Sequence, residues 1–313
     1  GIGKAFPYNP IYCVIFPRYS PLYLLKDALS IELYENLNLQ IRVELRFLGI
    51  PHGAIDHILL RKKQQSKKAQ IRFYIFYLGL IGLYVVAWIL FPYFSLTIFF
   101  LILFYHFGQS QFSDVNINER SKSKKLLYLF WGGPIISGLF YHHYDKLIEF
   151  FLETSHFDQT ATVITPVSLY FFFILSSIGT ILLMAYILLR RVNSKKRFLS
   201  EIGVFLLLHL AFFTIPPLLA FALYFAVWHS LKVLYEEYQY LGQKRKRFDL
   251  NHFIKELLLF TLISVIGVII LLVVFSYFEF AISPFFLTII FLSVLTLPHS
   301  VVMDSWYQKM QRK

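Results

Sequence analysis

The chain is a succession of long apolar runs separated by short polar stretches. Nine runs stand out, at roughly 44–60, 71–92, 94–112, 125–143, 164–189, 201–215, 216–235, 254–277 and 279–303. Most are close to the ~20 residues an α-helix needs to cross a hydrocarbon core about 30 Å thick. None shows the alternation of apolar and polar positions that the strands of a transmembrane barrel require. Residues 201–235 form one run interrupted by Pro216 and Pro217. A residue before proline is driven away from helical geometry, so this run is read as two crossings joined at the pair. The pattern predicts an all-α, polytopic transmembrane helical bundle of eight to nine spans. Residues 11–25 are apolar but broken by Pro17 and Pro21 and followed by Lys26, Asp27, Glu32 and Glu35. Residues 1–43 are therefore expected to be an N-terminal interfacial segment on the outer face, and 44–313 the transmembrane domain.

Composition agrees with that picture. Of 313 residues, 57% are hydrophobic and 15% charged, against roughly a quarter charged in soluble chains. This excludes a soluble domain and a disordered chain, and the single cysteine, Cys13, excludes an intrachain disulfide framework. The net charge of +12 suggests nucleic acid only until the basic residues are located. They form five clusters between the apolar runs: Arg61 to Lys68, Arg120 to Lys125, Arg190 to Arg197, Lys244 to Arg247, and Lys309 to Lys313. With all five in the cytoplasm the crossings alternate, and the opposite loops are short or acidic, as at 145–158. The expectation is a multi-pass protein of the cell inner membrane with cytoplasmic basic loops and no nucleic-acid partner.

Ten histidines are many for such a chain, and ionisable groups inside a bilayer mark functional sites. His52 precedes the first basic cluster by about nine residues, His229 precedes Lys232 by three, and His299 precedes Lys309 by ten, while His106 lies near the inner end of its run. At 1.5 Å of rise per residue, these four fall within about two turns in depth, in the cytoplasmic half. Four imidazoles at one level suit a divalent transition metal such as iron, zinc, copper or nickel. Asp56 follows His52 by one turn, and Asp304 follows His299 by five residues, about 140° round the helix. Both are candidates to accept from the second nitrogen of a ligating histidine, Asp304 for a histidine on another helix. His57 is a candidate fifth ligand or hydrogen-bond partner. His209 is expected to pack in the core, and His142 and His143 to lie at the opposite face. A histidine-lined metal transporter, another membrane iron oxygenase and a haem site remain open on these residues. The closely spaced histidine boxes of a diiron desaturase are absent from the sequence.

The surrounding motifs narrow the choice. Gly49-Ile50-Pro51-His52-Gly53-Ala54-Ile55-Asp56-His57, Tyr105-His106-Phe107-Gly108-Gln109, Trp228-His229-Ser230 and Leu297-Pro298-His299 with Asp304 occur in that order. Together they closely resemble the Brp/Blh family of bacterial and archaeal integral-membrane β-carotene 15,15′-dioxygenases, over roughly residues 45–306. The resemblance implies a non-haem Fe(2+) enzyme that splits the central double bond of β-carotene with dioxygen, giving two retinals for a rhodopsin. It implies His52, His106, His229 and His299 as iron ligands and Asp56 and Asp304 as the residues behind them. Val233 and Gln111 stand where many members have a histidine and an acidic residue. A bilayer-dissolved polyene needs an apolar tunnel, and the aromatics in the histidine layer, Tyr105, Phe107, Tyr224, Phe225, Trp228 and Trp306, are candidates to line it.

Overall fold

The computed structural model describes residues 53–59, 66–115, 121–152, 157, 164–188, 194–245, 249–277 and 284–310. Among them the chain is helical and contains no strand. The elements are α1 (Asp56–Leu59), α2 (Lys67–Leu90), α3 (Pro92–Gln111), α4 (Lys122–His142), α5 (Tyr144–Leu152), α6 (Pro166–Leu188) and α7 (Ser194–Thr214). They continue as α8 (Pro217–Ala222), a π-helix (Leu223–Ser230), α9 (Leu231–Lys244), α10 (Leu250–Tyr277) and α11 (Pro284–Met310). Segments 67–90, 92–111, 166–187, 195–214 and 289–310 are long and apolar enough to cross a membrane. The all-α membrane class is therefore as expected. Residues 1–52, including the expected interfacial segment, lie outside the described residues.

Prolines set several boundaries. α3, α6, α8 and α11 each begin on one, because the first helical position needs no N–H and favours a φ near −65°. The Pro216-Pro217 pair separates α7 from α8 as the sequence suggests, but beyond the pair the chain runs without a break through α8, the π-helix and α9 to Lys244. From Phe73 to Leu90, helix α2 is apolar on all sides. Ile71, Ile75, Leu78, Val86 and Ile89 are exposed, which is the surface a hydrocarbon solvent selects.

α4 is the axis of the bundle and packs on both α3 and α6. Glycines permit the close approach to α3. A Cβ added to Gly108 would lie 2.0 Å from the Tyr128 carbonyl oxygen, and one added to Gly132 would lie 2.2 Å from that of Phe104. The two contacts are reciprocal, each one helical turn apart on its helix, so the backbones meet directly. Pro134 inside α4 removes the N–H that would bond the Phe130 carbonyl. The Thr180 hydroxyl of α6 donates to that oxygen instead, at 2.6 Å.

Two apolar clusters result. The larger joins α2, α3, α4, α6, α7 and α11 with the π-helix, through residues such as Trp88, Phe107, Trp131, Phe212 and Phe225. The smaller gathers Ala54, Ile55, Val233, Tyr240, Leu241, Met303, Trp306 and Tyr307. Val233 is fully buried there. Polar ties fix the outer helices: Trp88 Nε1 donates to Ser293 Oγ at 2.7 Å, and Tyr84 OH donates to the Ser95 carbonyl at 2.7 Å.

Candidate active site

Three of the four histidines picked out in the sequence meet. His106 from α3 stands between His229 of the π-helix and His299 of α11, with its ring centroid 4.9 Å from each of theirs. All three are buried. His52 and the side chain of His57 lie outside the described residues. Gly53 lies beside the His299 ring, where an added Cβ would come 3.4 Å from Nδ1. Among the described residues, no three His, Cys, Asp or Glu side chains form a group that could hold a metal ion.

The second nitrogens define what the rings offer. Asp56 Oδ1 lies 2.9 Å from His299 Nδ1, and a carboxylate only accepts, so Nδ1 carries a proton and the neutral ring presents its lone pair at Nε2. Tyr77 OH donates to the other oxygen of Asp56 at 3.0 Å. His229 Nδ1 lies 2.8 Å from Ser110 Oγ, and that hydroxyl donates to the Phe107 carbonyl at 3.0 Å. Its proton being spent there, the hydroxyl accepts from Nδ1–H, and His229 too presents the Nε2 lone pair. Imidazole nitrogen is the donor type that a borderline transition metal such as iron takes, but the three described rings do not by themselves close a site for one.

Placement of His229 depends on an unusual turn. Residues Leu223–Ser230 form a π-helix, a wide turn often found at functional positions. Ser230 Oγ donates to the Phe225 carbonyl five residues back, at 2.7 Å. The aromatics around it form a wall. The Phe225 ring is stacked on His229 with 13° between planes and on Phe221 with 5°. Phe107 lies 4.9 Å from both His229 and Tyr224.

Other sequence candidates have different neighbours. Asp56 supports His299, from a distant helix; His52, one turn before it in sequence, lies outside the described residues. Asp304 meets no histidine among the described residues. It accepts from Tyr105 OH at 3.1 Å, from Gln109 Nε2 at 3.0 Å and from Gln308 Nε2 at 2.7 Å, which fixes the face of α3. Trp306 is not in the wall: it is fully buried in the smaller cluster, against Tyr240 and Tyr307. Trp228 is held at Nε1 by Gln111. His209 packs as expected, with Nδ1 2.7 Å from the Phe205 carbonyl and Nε2 3.2 Å from that of Pro134. His143 is tied to the Phe212 carbonyl through Nε2 at 2.8 Å. Sequence reasoning passed over Ser110, Tyr77 and Gln109. Gln109 closes the motif around His106, and Ser110 is a hydroxyl one turn after it.

A family model described as β-carotene 15,15′-dioxygenase matches residues 43–307, which includes every element of this site. The chain belongs to the β-carotene 15,15′-dioxygenase family. A β-carotene 15,15′-dioxygenase from an uncultured marine bacterium is 31% identical over 208 residues, covering 64% of this chain and 70% of the relative. A probable β-carotene 15,15′-dioxygenase of Halobacterium salinarum is 27% identical over 205 residues, covering 59% of this chain and 57% of the relative. No solved structure matches this dioxygenase-family chain.

Proposed function

We propose that this dioxygenase-family protein cleaves the central 15,15′ double bond of β-carotene with dioxygen, giving two molecules of retinal. The iron would be held by His52, His106, His229 and His299 in the cytoplasmic half of the inner membrane. One observation carries the reading: His106, His229 and His299, from three separated parts of the sequence, converge in a buried layer of a chain matched to the family over 43–307. When bound, the iron supplies the redox chemistry by which dioxygen reacts with an alkene.

The remaining work falls to the chain's own side chains. Asp56 and Ser110 hold the Nδ1 protons of His299 and His229, which directs Nε2 of each toward the shared centre. Phe107, Tyr224 and Phe225 keep water from His229 and offer flat apolar faces to a polyene. Tyr105 and Gln109, fixed by Asp304, hold α3 to α11 so that His106 and His299 keep their separation. No residue need transfer a proton, since each retinal receives one oxygen atom at one end of the broken bond. A retinal-binding rhodopsin is a fitting consumer of the product.

Co-expression in a β-carotene-accumulating bacterium, with pigment chromatography and His106→Ala as control, tests this directly. Bleaching with retinal as the sole apocarotenoid, abolished in the variant, is expected. Unchanged β-carotene beside folded, iron-loaded protein would overturn the substrate assignment and favour the metal-transporter alternative.

A further inference from the structure

The end of α3 is tied to the His229 segment through more than the Ser110 hydroxyl. The carbonyls of Ser110 and Gln111 lie in the last turn, where no further helical N–H reaches them. Lys232 Nζ donates to both at 2.6 Å, and Arg197 Nη2 donates to the second at 3.3 Å. The Gln111 side chain makes a further bridge. Trp228 Nε1 donates to its Oε1 at 3.1 Å, and its own Nε2 donates to Glu201 Oε2 at 2.7 Å. The other oxygen of Glu201 meets Arg197 Nη2 at 2.8 Å. Gln111 and Glu201 are both buried, so these bonds form away from competing water. One amide thus joins α3, α7 and the residue immediately before His229.

We propose that Gln111 is a positioning residue for His229. By fixing Trp228 against the Glu201 anchor it sets the rotation of the π-helix, and so the direction of the next residue's imidazole. The chemistry selects a primary amide, because one planar group must accept from an indole N–H and donate to a carboxylate. A glutamate here accepts from Trp228 but meets Glu201 without a donor. A leucine does neither. The proposal rests on the reading of His229 as a metal ligand.

The test uses the full-length protein purified in detergent and stripped of metal, as wild type, Gln111→Leu, Gln111→Glu, Glu201→Gln and the exchanged pair Q111E/E201Q. Co(2+) titration reads affinity and, from its visible ligand-field bands, the geometry at the ion. Helical content and thermal unfolding report on the fold. The Gln111 single variants are expected to lose affinity by about 10- to 100-fold and to shift the Co(2+) bands. The exchanged pair is expected to regain both, because the new amide on α7 would donate to the new carboxylate on α3, which still accepts from Trp228. Arg197 retains Asp114, 2.9 Å away, in that pair. Gln111→Leu with wild-type bands and affinity would overturn the proposal alone. An exchanged pair no better than Gln111→Glu would do the same, and it decides the matter if Gln111→Leu fails to fold. Wild type that takes up no Co(2+) would overturn the metal reading and the proposal with it.

Discussion

An imidazole gives a metal one nitrogen, and the group holding the other nitrogen sets the direction of the first. Asp56 does this for His299 and Ser110 for His229. Asp56→Asn keeps the shape of the side chain but removes its charge, and Asn also offers a donor where only an acceptor fits. We expect iron content and Co(2+) affinity to fall about tenfold or more, with retinal yield falling in step and helical content unchanged. Metal analysis beside circular dichroism checks it. At this scale the sequence exposes residue types but not partners. Asp56 is visible as a carboxylate one turn from His52, yet the histidine it bonds is 243 positions away. Asp304 is likewise visible as a carboxylate facing away from His299 toward another helix, while its partners there, Tyr105 and Gln109, are not.

Among the helices, α3 and α4 are the pair whose spacing the site depends on. Gly108→Ala would set a Cβ 2.0 Å from a backbone carbonyl oxygen, which cannot rotate away as a side chain can. The helices must separate, at a cost of about 1–3 kcal/mol or more for overpacking, and His106 lies two residues away. We expect a lowered unfolding temperature and lost retinal production. Gly79→Ala, on the exposed face of α2 with nothing within 4 Å, should be neutral or slightly stabilising. Thermal unfolding in detergent separates the two. Helix existence was legible because apolar runs of this length have few alternatives: the run at 94–112 corresponds to Pro92–Gln111, and that at 164–189 to Pro166–Leu188. The π-helix was not. A surplus residue within a turn leaves no trace in composition or periodicity over so short a stretch.

For the molecule as a whole, charge distribution sets orientation. The ion pairs of Arg197 with Asp114 and Glu201 gather at the end of α3 that carries His106. Lys146 lies on α5, in the acidic stretch expected on the opposite side, with its side chain 70% exposed. In a Cys13→Ser background, Lys146→Cys should react with an impermeant maleimide in intact spheroplasts, and Lys195→Cys only after permeabilisation. The reverse pattern would turn the protein over in the membrane and place the histidine layer in the outer half. The wide turn also has a consequence for the architecture. Its first half presents Tyr224 and Phe225 to the larger cluster, and the helix after it presents Val233, Tyr240 and Leu241 to the smaller one. A single residue fewer would rotate everything downstream by about 100°. The turn acts as a phase adjuster, letting one continuous rod mesh with two cores whose helical registers differ, and His229 sits at the changeover.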